Sequence, residues 1–294
     1  MGELMKKYLG LAKRRWIQLI SALIFNLNFK GFAEGSIYQG KTKGICVPGL
    51  NCYSCPGAVG ACPLGSLQAA IANPNGKLPF YVTGTLLLFG ALFGRMICSF
   101  LCPFGLVQEL LYKIPGYKLK KNGFTRKLSM AKYVFLAVFV IALPYVLYLT
   151  TGLGSPAFCK YLCPAGSLEA GIPLVIMNEG LRNIIGFLFS WKMSLLALFL
   201  LTSVFIYRPF CRFVCPLGAI YSFFNRIAVF GVRVDADICT GCDACVRFCK
   251  MDVKEVNDRE CIRCGECIDV CPVRAISFSR RLNYDKKQSG TKKE

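Results

Sequence analysis

Eighteen cysteines and no histidine define the chemistry open to this 294-residue chain. The last eight follow the spacing Cys239-x2-Cys242-x2-Cys245-x3-Cys249 and Cys261-x2-Cys264-x2-Cys267-x3-Cys271-Pro272. Three thiols at consecutive x2 spacings with a fourth three residues on are the pattern that holds two 4Fe–4S clusters, the fourth thiolate of each run crossing to the other cluster. The spacing therefore predicts one cluster on Cys239, Cys242, Cys245 and Cys271 and a second on Cys261, Cys264, Cys267 and Cys249. Zinc sites place two Cys-x2-Cys knuckles a dozen or more residues apart, which does not match. With no histidine, histidine-ligated haem, Rieske centres and His-bearing zinc or copper sites are excluded. The chemistry left is electron transfer on thiolate-bound iron.

The other ten cysteines are ordered too. Arg95-x2-Cys98-x3-Cys102-Pro103-x-Gly105 matches Arg208-x2-Cys211-x3-Cys215-Pro216-x-Gly218. The run from Cys62 to Ile71 matches that from Cys163 to Ile172 at seven of ten positions. The chain thus reads as helix, Cys-Pro-x-Gly, helix, Cys-Pro-x-Gly, written twice in tandem. Cysteines at i and i+4 share a helix face. Proline ends that helix and suits the first turn of the next, whose free N–H groups then face the sulfurs. Two such pairs, Cys98/Cys102 and Cys211/Cys215, predict a third 4Fe–4S site on the inner face. Six cysteines fall to the outer face: Cys46, Cys52, Cys55, Cys62, Cys159 and Cys163. Cys55, Cys62, Cys159 and Cys163 are the expected ligands of a fourth cluster. Cys46 and Cys52 are alternative ligands or a disulfide, and a cluster on Cys46, Cys52, Cys55 and Cys62 is the rival set. Arg95 and Arg208 read equally as snorkelling helix ends or as cations beside the inner cluster.

These motifs need elements to position them. The chain is 54% hydrophobic with a mean hydropathy of +0.47. Four stretches have the length and hydropathy of membrane spans, at about 16–33, 79–97, 133–152 and 191–207. The first also resembles a signal peptide, but its removal would destroy the repeat, so it is read as a helix. The first fifteen residues hold five Lys and Arg and residues 99–132 hold seven, against three in 34–78 and two in 153–190. That bias puts both termini in the cytoplasm. The fold expected is mainly α and integral to the membrane. A tandem two-helix duplication fills residues 1–230, and a small α+β ferredoxin-like domain on the cytoplasmic side fills 231–279. The basic tail 280–294 is expected to be disordered. The net charge of +20 lies mostly beside the spans and in this tail, where anionic lipid explains it better than nucleic acid does.

In these motifs the chain resembles the NapH-type membrane polyferredoxins and the membrane half of the NosR type. The resemblance implies four helices, Cys-x3-Cys-Pro motifs and a C-terminal double-cluster module. It also implies a subunit of a larger complex, carrying electrons between a cytoplasmic donor or the quinone pool and an extracytoplasmic flavoprotein or cytochrome. A third Cys-x3-Cys-Pro at Cys159/Cys163 and the cysteine-rich loop 46–62 depart from that pattern, and no flavin domain of its own is present. Two rivals to a transmembrane conduit remain: a quinol dehydrogenase subunit, and an assembly factor using Cys46 and Cys52 as a redox dithiol. A self-contained catalytic site is not expected, since neither a nucleotide loop nor a nucleophile–histidine pair occurs. A conduit also meets a physical limit. The hydrocarbon core is about 30 Å thick, too far for clusters at opposite faces unless the Cys-Pro breaks lie deep.

Overall fold

The computed structural model describes residues 2–72, 80–119, 121–152 and 154–280, with side chains from Lys13 onward. The tail read as disordered lies outside the described residues, apart from Arg280.

Long apolar helices alternate with short helices that begin at a Cys-Pro step. The first helix runs Gly2–Phe25 rather than through the expected 16–33. It stops where asparagine side chains turn to other partners: Asn26 donates to Ala22 O and to Asn51 Oδ1, both at 2.9 Å, and Asn28 donates to Pro56 O at 2.9 Å. Such side chains compete with the helical ladder for backbone groups. A separate short helix, Phe29–Glu34, follows. The next apolar helix, Phe80–Phe93, ends at Gly94, whose φ of 53° few other residues tolerate.

Two helices, Gly123–Thr151 and Phe187–Phe205, are long and apolar enough to cross a membrane. The first contains a π segment, Leu136–Ala142, directly before Pro144. Another π segment, Ser167–Gly171, comes just before Pro173. Proline has no N–H to give to the carbonyl four residues back and collides with it, so the ladder widens there.

The Cys-Pro helices are Pro63–Ile71, Pro103–Tyr112, Pro164–Met177 and Pro216–Phe224. Beyond the last, β1 (Phe230–Val234) pairs antiparallel with β2 (Ile276–Arg280), Phe230 opposite Arg280. This ribbon closes the cysteine-rich module, which holds one short helix, Ala244–Phe248.

The module is locked to the helical half by buried charge. Arg95 pairs with Glu260 at 2.9 Å, and Lys132 pairs with the same carboxylate. Arg14 reaches Glu266 at 3.2 Å, and Arg212 pairs with Asp252. Arg263, fully buried, donates to Asn225 O and to Phe230 O. Removing one partner of a buried pair leaves an uncompensated charge, which costs about 3–5 kcal/mol.

Candidate functional site

One local unit recurs. Cys102, Cys163 and Cys215 each stand at the N-cap before a Pro, and each Sγ accepts the N–H three residues on, from Gly105, Gly166 and Gly218 at 3.4–3.5 Å. At position 105 the glycine is steric: a Cβ there would come within 3.0 Å of Arg208 Nη1 and 3.1 Å of Cys98 O. Thiols presented at helix N-termini with N–H groups aimed at them suit an anionic iron–sulfur cluster.

Cys98, Cys102, Cys211 and Cys215, the set expected on the inner face, are all buried in one core. Arg95 and Arg208 flank them, both fully buried, so neither snorkels. Their contacts are reciprocal. Arg95 Nη2 donates to Cys211 O at 3.4 Å, and Arg208 Nη1 donates to Cys98 O at 2.6 Å. Each cation from one Cys-x3-Cys segment therefore holds the backbone of the other. Glu260 balances Arg95, and Glu109 balances Arg208 at 2.9 Å while also binding Arg14 at 2.8 Å. Burial works to raise the Glu109 carboxyl, but Arg208 and Arg14 outweigh it and hold it at about 2. Arg208 sits at φ 49°, a conformation that persists in a non-glycine residue where its surroundings over-determine it.

The second membrane-half site is built differently. Cys52, Cys62, Cys159 and Cys163 line a cavity of about 480 Å³ with Leu50, Leu64, Leu174 and Lys192. The thiols gathered here differ from the expected set of Cys55, Cys62, Cys159 and Cys163. Cys55 is not on this wall; its Sγ turns to Asn26 Oδ1 at 3.5 Å, because Asn26 and Asn28 anchor the loop around it. Cys52, one of the two alternative ligands, stands on the wall instead. Cys46 bonds through its backbone N–H to Tyr81 Oη at 3.3 Å, and Cys46 and Cys52, for which a disulfide was the other option, are both free thiols. Burial pushes the Cys52 and Cys159 thiols up to about 12, so they ionise only where a metal compensates. Glu169, in the π segment, accepts the Cys52 N–H at 2.6 Å. Loss of water still dominates there and pushes its carboxyl up to about 8.

The two sites adjoin the same buried core. Cys46, Cys62, Cys98, Cys102, Cys163, Cys211 and Cys215 share one continuous apolar core. Phe158, next to Cys159, lies 6.4 Å centroid to centroid from Phe210, next to Cys211. The loop carrying Cys46 and Cys52 dips into this core: Pro48 O accepts from Tyr221 Oη at 2.9 Å, and Gly49 packs on Leu101 and Cys102.

In the module, Cys249, Cys261, Cys264 and Cys267 line a single pocket, the crossed set that the spacing predicts. Cys239 and Cys242 are exposed, and Cys245 and Cys271 are half-buried. Glycines at φ 67° (Gly241) and 81° (Gly265) turn the chain within Cys239-x2-Cys242 and Cys264-x2-Cys267. Among the described residues, no three Cys, Asp or Glu side chains converge tightly enough to hold a single metal ion.

Sequence spacing did not single out Gln68, Gln108, Glu109, Lys132 or Glu260. The glutamines carried a signal, each standing six residues after the cysteine of a Cys-Pro-x-Gly motif. The acidic partners lie too far along the chain from their cations for spacing to reveal them.

Comparison with known proteins agrees with this geometry. A family described as a 4Fe-4S binding domain matches residues 79–122, 134–172 and 184–234, and a second of the same description matches 254–277. The uncharacterized protein MJ0750 of Methanocaldococcus jannaschii is 33% identical over 72% of this chain and 82% of its own length. The ferredoxin-type protein NapH of Escherichia coli is 27% identical over 74% of each chain. The regulatory protein NosR of Stutzerimonas stutzeri is 27% identical over 70% of this chain but only 28% of its own. The chain belongs to the NapH/NosR-type polyferredoxin family. Like other polyferredoxins it is an iron–sulfur electron-transfer protein that binds 4Fe–4S clusters. No solved structure matches this polyferredoxin.

Proposed function

We propose that this polyferredoxin conducts electrons through the membrane over four 4Fe–4S centres. Gly2–Phe25, Phe80–Phe93, Gly123–Thr151 and Phe187–Phe205 would be its four spans, in two tandem copies with both termini cytoplasmic. The centres would be held by Cys239/Cys242/Cys245/Cys271, by Cys249/Cys261/Cys264/Cys267, by Cys98/Cys102/Cys211/Cys215 and by Cys52/Cys62/Cys159/Cys163. Bound there, the clusters would supply one-electron carriers tuned by nearby charge and hydrogen bonds. The observation that carries this reading is the Phe158–Phe210 contact, which joins the two membrane-half sites through one core. It supports a spacing of these two centres shorter than the thickness of the hydrocarbon core. The residues do the rest: Arg95 and Arg208 cross-brace the two halves of one site, while Glu260 and Glu266 dock the module against it.

Cytoplasmic donors would meet the module near the exposed Cys239 and Cys242. An extracytoplasmic flavoprotein or cytochrome would dock near the mouth of the Lys192 cavity. Cys46 and Cys52 have different surroundings, which favours a conduit over a maturation dithiol; Cys46→Ser alone should leave iron content and electron flux unchanged. A quinol dehydrogenase role is the second reading, favoured by the apolar cavity with Lys192 on its wall and Glu169 beside Cys52. Reduction of the purified protein by a short-chain quinol, with no soluble donor, would select it.

Iron and acid-labile sulfide on anaerobically purified protein test the main reading. Four clusters require about sixteen iron atoms per chain, falling by about four in Cys98→Ser/Cys211→Ser. About eight, unchanged in the variant, would reduce the protein to a ferredoxin on a membrane anchor.

A further inference from the structure

Two glutamines make the same set of bonds in the two halves of the membrane core. Gln108 is fully buried in the Pro103–Tyr112 helix. Its Oε1 accepts the N–H of Phe210 at 3.1 Å. Its Nε2 donates to Cys211 Sγ at 3.1 Å and to Phe104 O, one turn back, at 3.4 Å. Gln68 is fully buried in the Pro63–Ile71 helix and repeats every bond. Its Oε1 accepts the N–H of Phe158 at 2.9 Å, and its Nε2 donates to Cys159 Sγ at 3.3 Å and to Leu64 O at 3.4 Å.

The orientation of each amide is dictated by its partners. A backbone N–H can only donate, so the atom it meets must be the amide oxygen, and the NH2 group must then face the sulfur. One N–H of that group goes to a carbonyl and the other has the sulfur as its acceptor. Neither amide can flip without burying unpaired donors against each other, which costs more than the bonds themselves contribute. Burial excludes water as a substitute partner.

We propose that Gln68 and Gln108 are positioning residues that set the reduction potentials of the two membrane-half centres, each through one thiolate: Cys159 for the cavity centre and Cys211 for the arginine-flanked centre. The inference rests on the ligand sets proposed above. Added negative charge on a reduced cluster spreads onto its sulfurs, so a fixed N–H donor stabilises the reduced form more than the oxidised one and raises the potential. The other two Cys-Pro-x-Gly motifs carry Glu169 and Tyr221 at the equivalent place, and both are engaged elsewhere, with Cys52 N and Pro48 O. Each site thus receives one amide donor of this kind.

The test is an EPR-monitored redox titration of the full-length anaerobic protein, with iron content measured on each sample. Gln108→Leu should retain iron while the reduction equilibrium of one membrane centre falls about tenfold, which is about 59 mV for a one-electron couple. Gln68→Leu should do the same to the other membrane centre, and the two module centres should not move. Retained iron with unchanged potentials, or both variants shifting the same centre, would overturn the proposal. Should the leucine variants lose a cluster, Gln108→Met and Gln68→Met carry the same test. They keep the length of the side chain and remove the N–H donor to sulfur without adding a charge, so an unshifted potential in them overturns the proposal equally. A wild-type protein with only about eight irons would instead defeat the assignment of the membrane centres.

Discussion

The two membrane-half sites share a plan and differ in their surroundings. Both use a Cys-Pro N-cap, a following glycine and a glutamine that bridges to the other half. The site on Cys98 and Cys211 is closed by two fully buried arginines, whose carboxylate partners include Glu260 of the module. The site on Cys62 and Cys163 opens into a cavity of about 480 Å³ with Lys192 on its wall and Glu169 against Cys52. The recurring Cys-Pro-x-Gly unit sets where the thiols stand, and the charged side chains around each group set how the two differ. The arginine-flanked centre should hold the higher potential, since guanidinium groups bonded to ligand carbonyls favour an added electron.

The largest test of this contrast is stability. Glu109→Ala leaves Arg14 and Arg208 without their shared carboxylate and should destabilise the protein by about 3–5 kcal/mol, with loss of iron from that site. Glu169→Gln keeps its shape and can still accept the Cys52 N–H, so its cost should stay below about 1 kcal/mol. Thermal melts with parallel iron assays compare the two, and equal losses would break the distinction. Cluster content comes next. Cys52→Ser should lose about four irons and Cys55→Ser none, whereas the reverse would return Cys55 to the ligand set. A subtler effect is expected on potential. Arg208→Gln, with Glu109 still paired to Arg14, should lower the reduction equilibrium of its centre about tenfold, while Lys192→Gln should move the cavity centre by less. The smallest effect concerns the module. Cys239 and Cys242 are exposed and the pocket of Cys249 and Cys264 is not, so a chelator should remove the first cluster before the second, as followed by visible absorbance.

Much of this was legible from spacing alone. That Cys249, Cys261, Cys264 and Cys267 line one pocket and that Cys98, Cys102, Cys211 and Cys215 share one core follow from intervals of two and three residues, because a turn or a short helix converts such intervals directly into position. Cys52 and Cys55 defeated the same reasoning. They lie in an irregular loop whose course is fixed by Asn26 and Asn28, some thirty residues upstream. The expected first span failed for a related reason, since hydropathy registers an asparagine as polar but cannot show that it has a loop to hold. The arginines were ambiguous because their carboxylate partners, Glu109 and Glu260, are 99 and 165 residues away.

The pairing of Arg95 and Lys132 with Glu260 also bears on how the protein is made. Both cations are in place once the first half of the chain has been synthesised, yet their carboxylate arrives only with the C-terminal module. Without that carboxylate the two cations would have to pack beside each other uncompensated, so the helical half should reach its final packing only as the module docks.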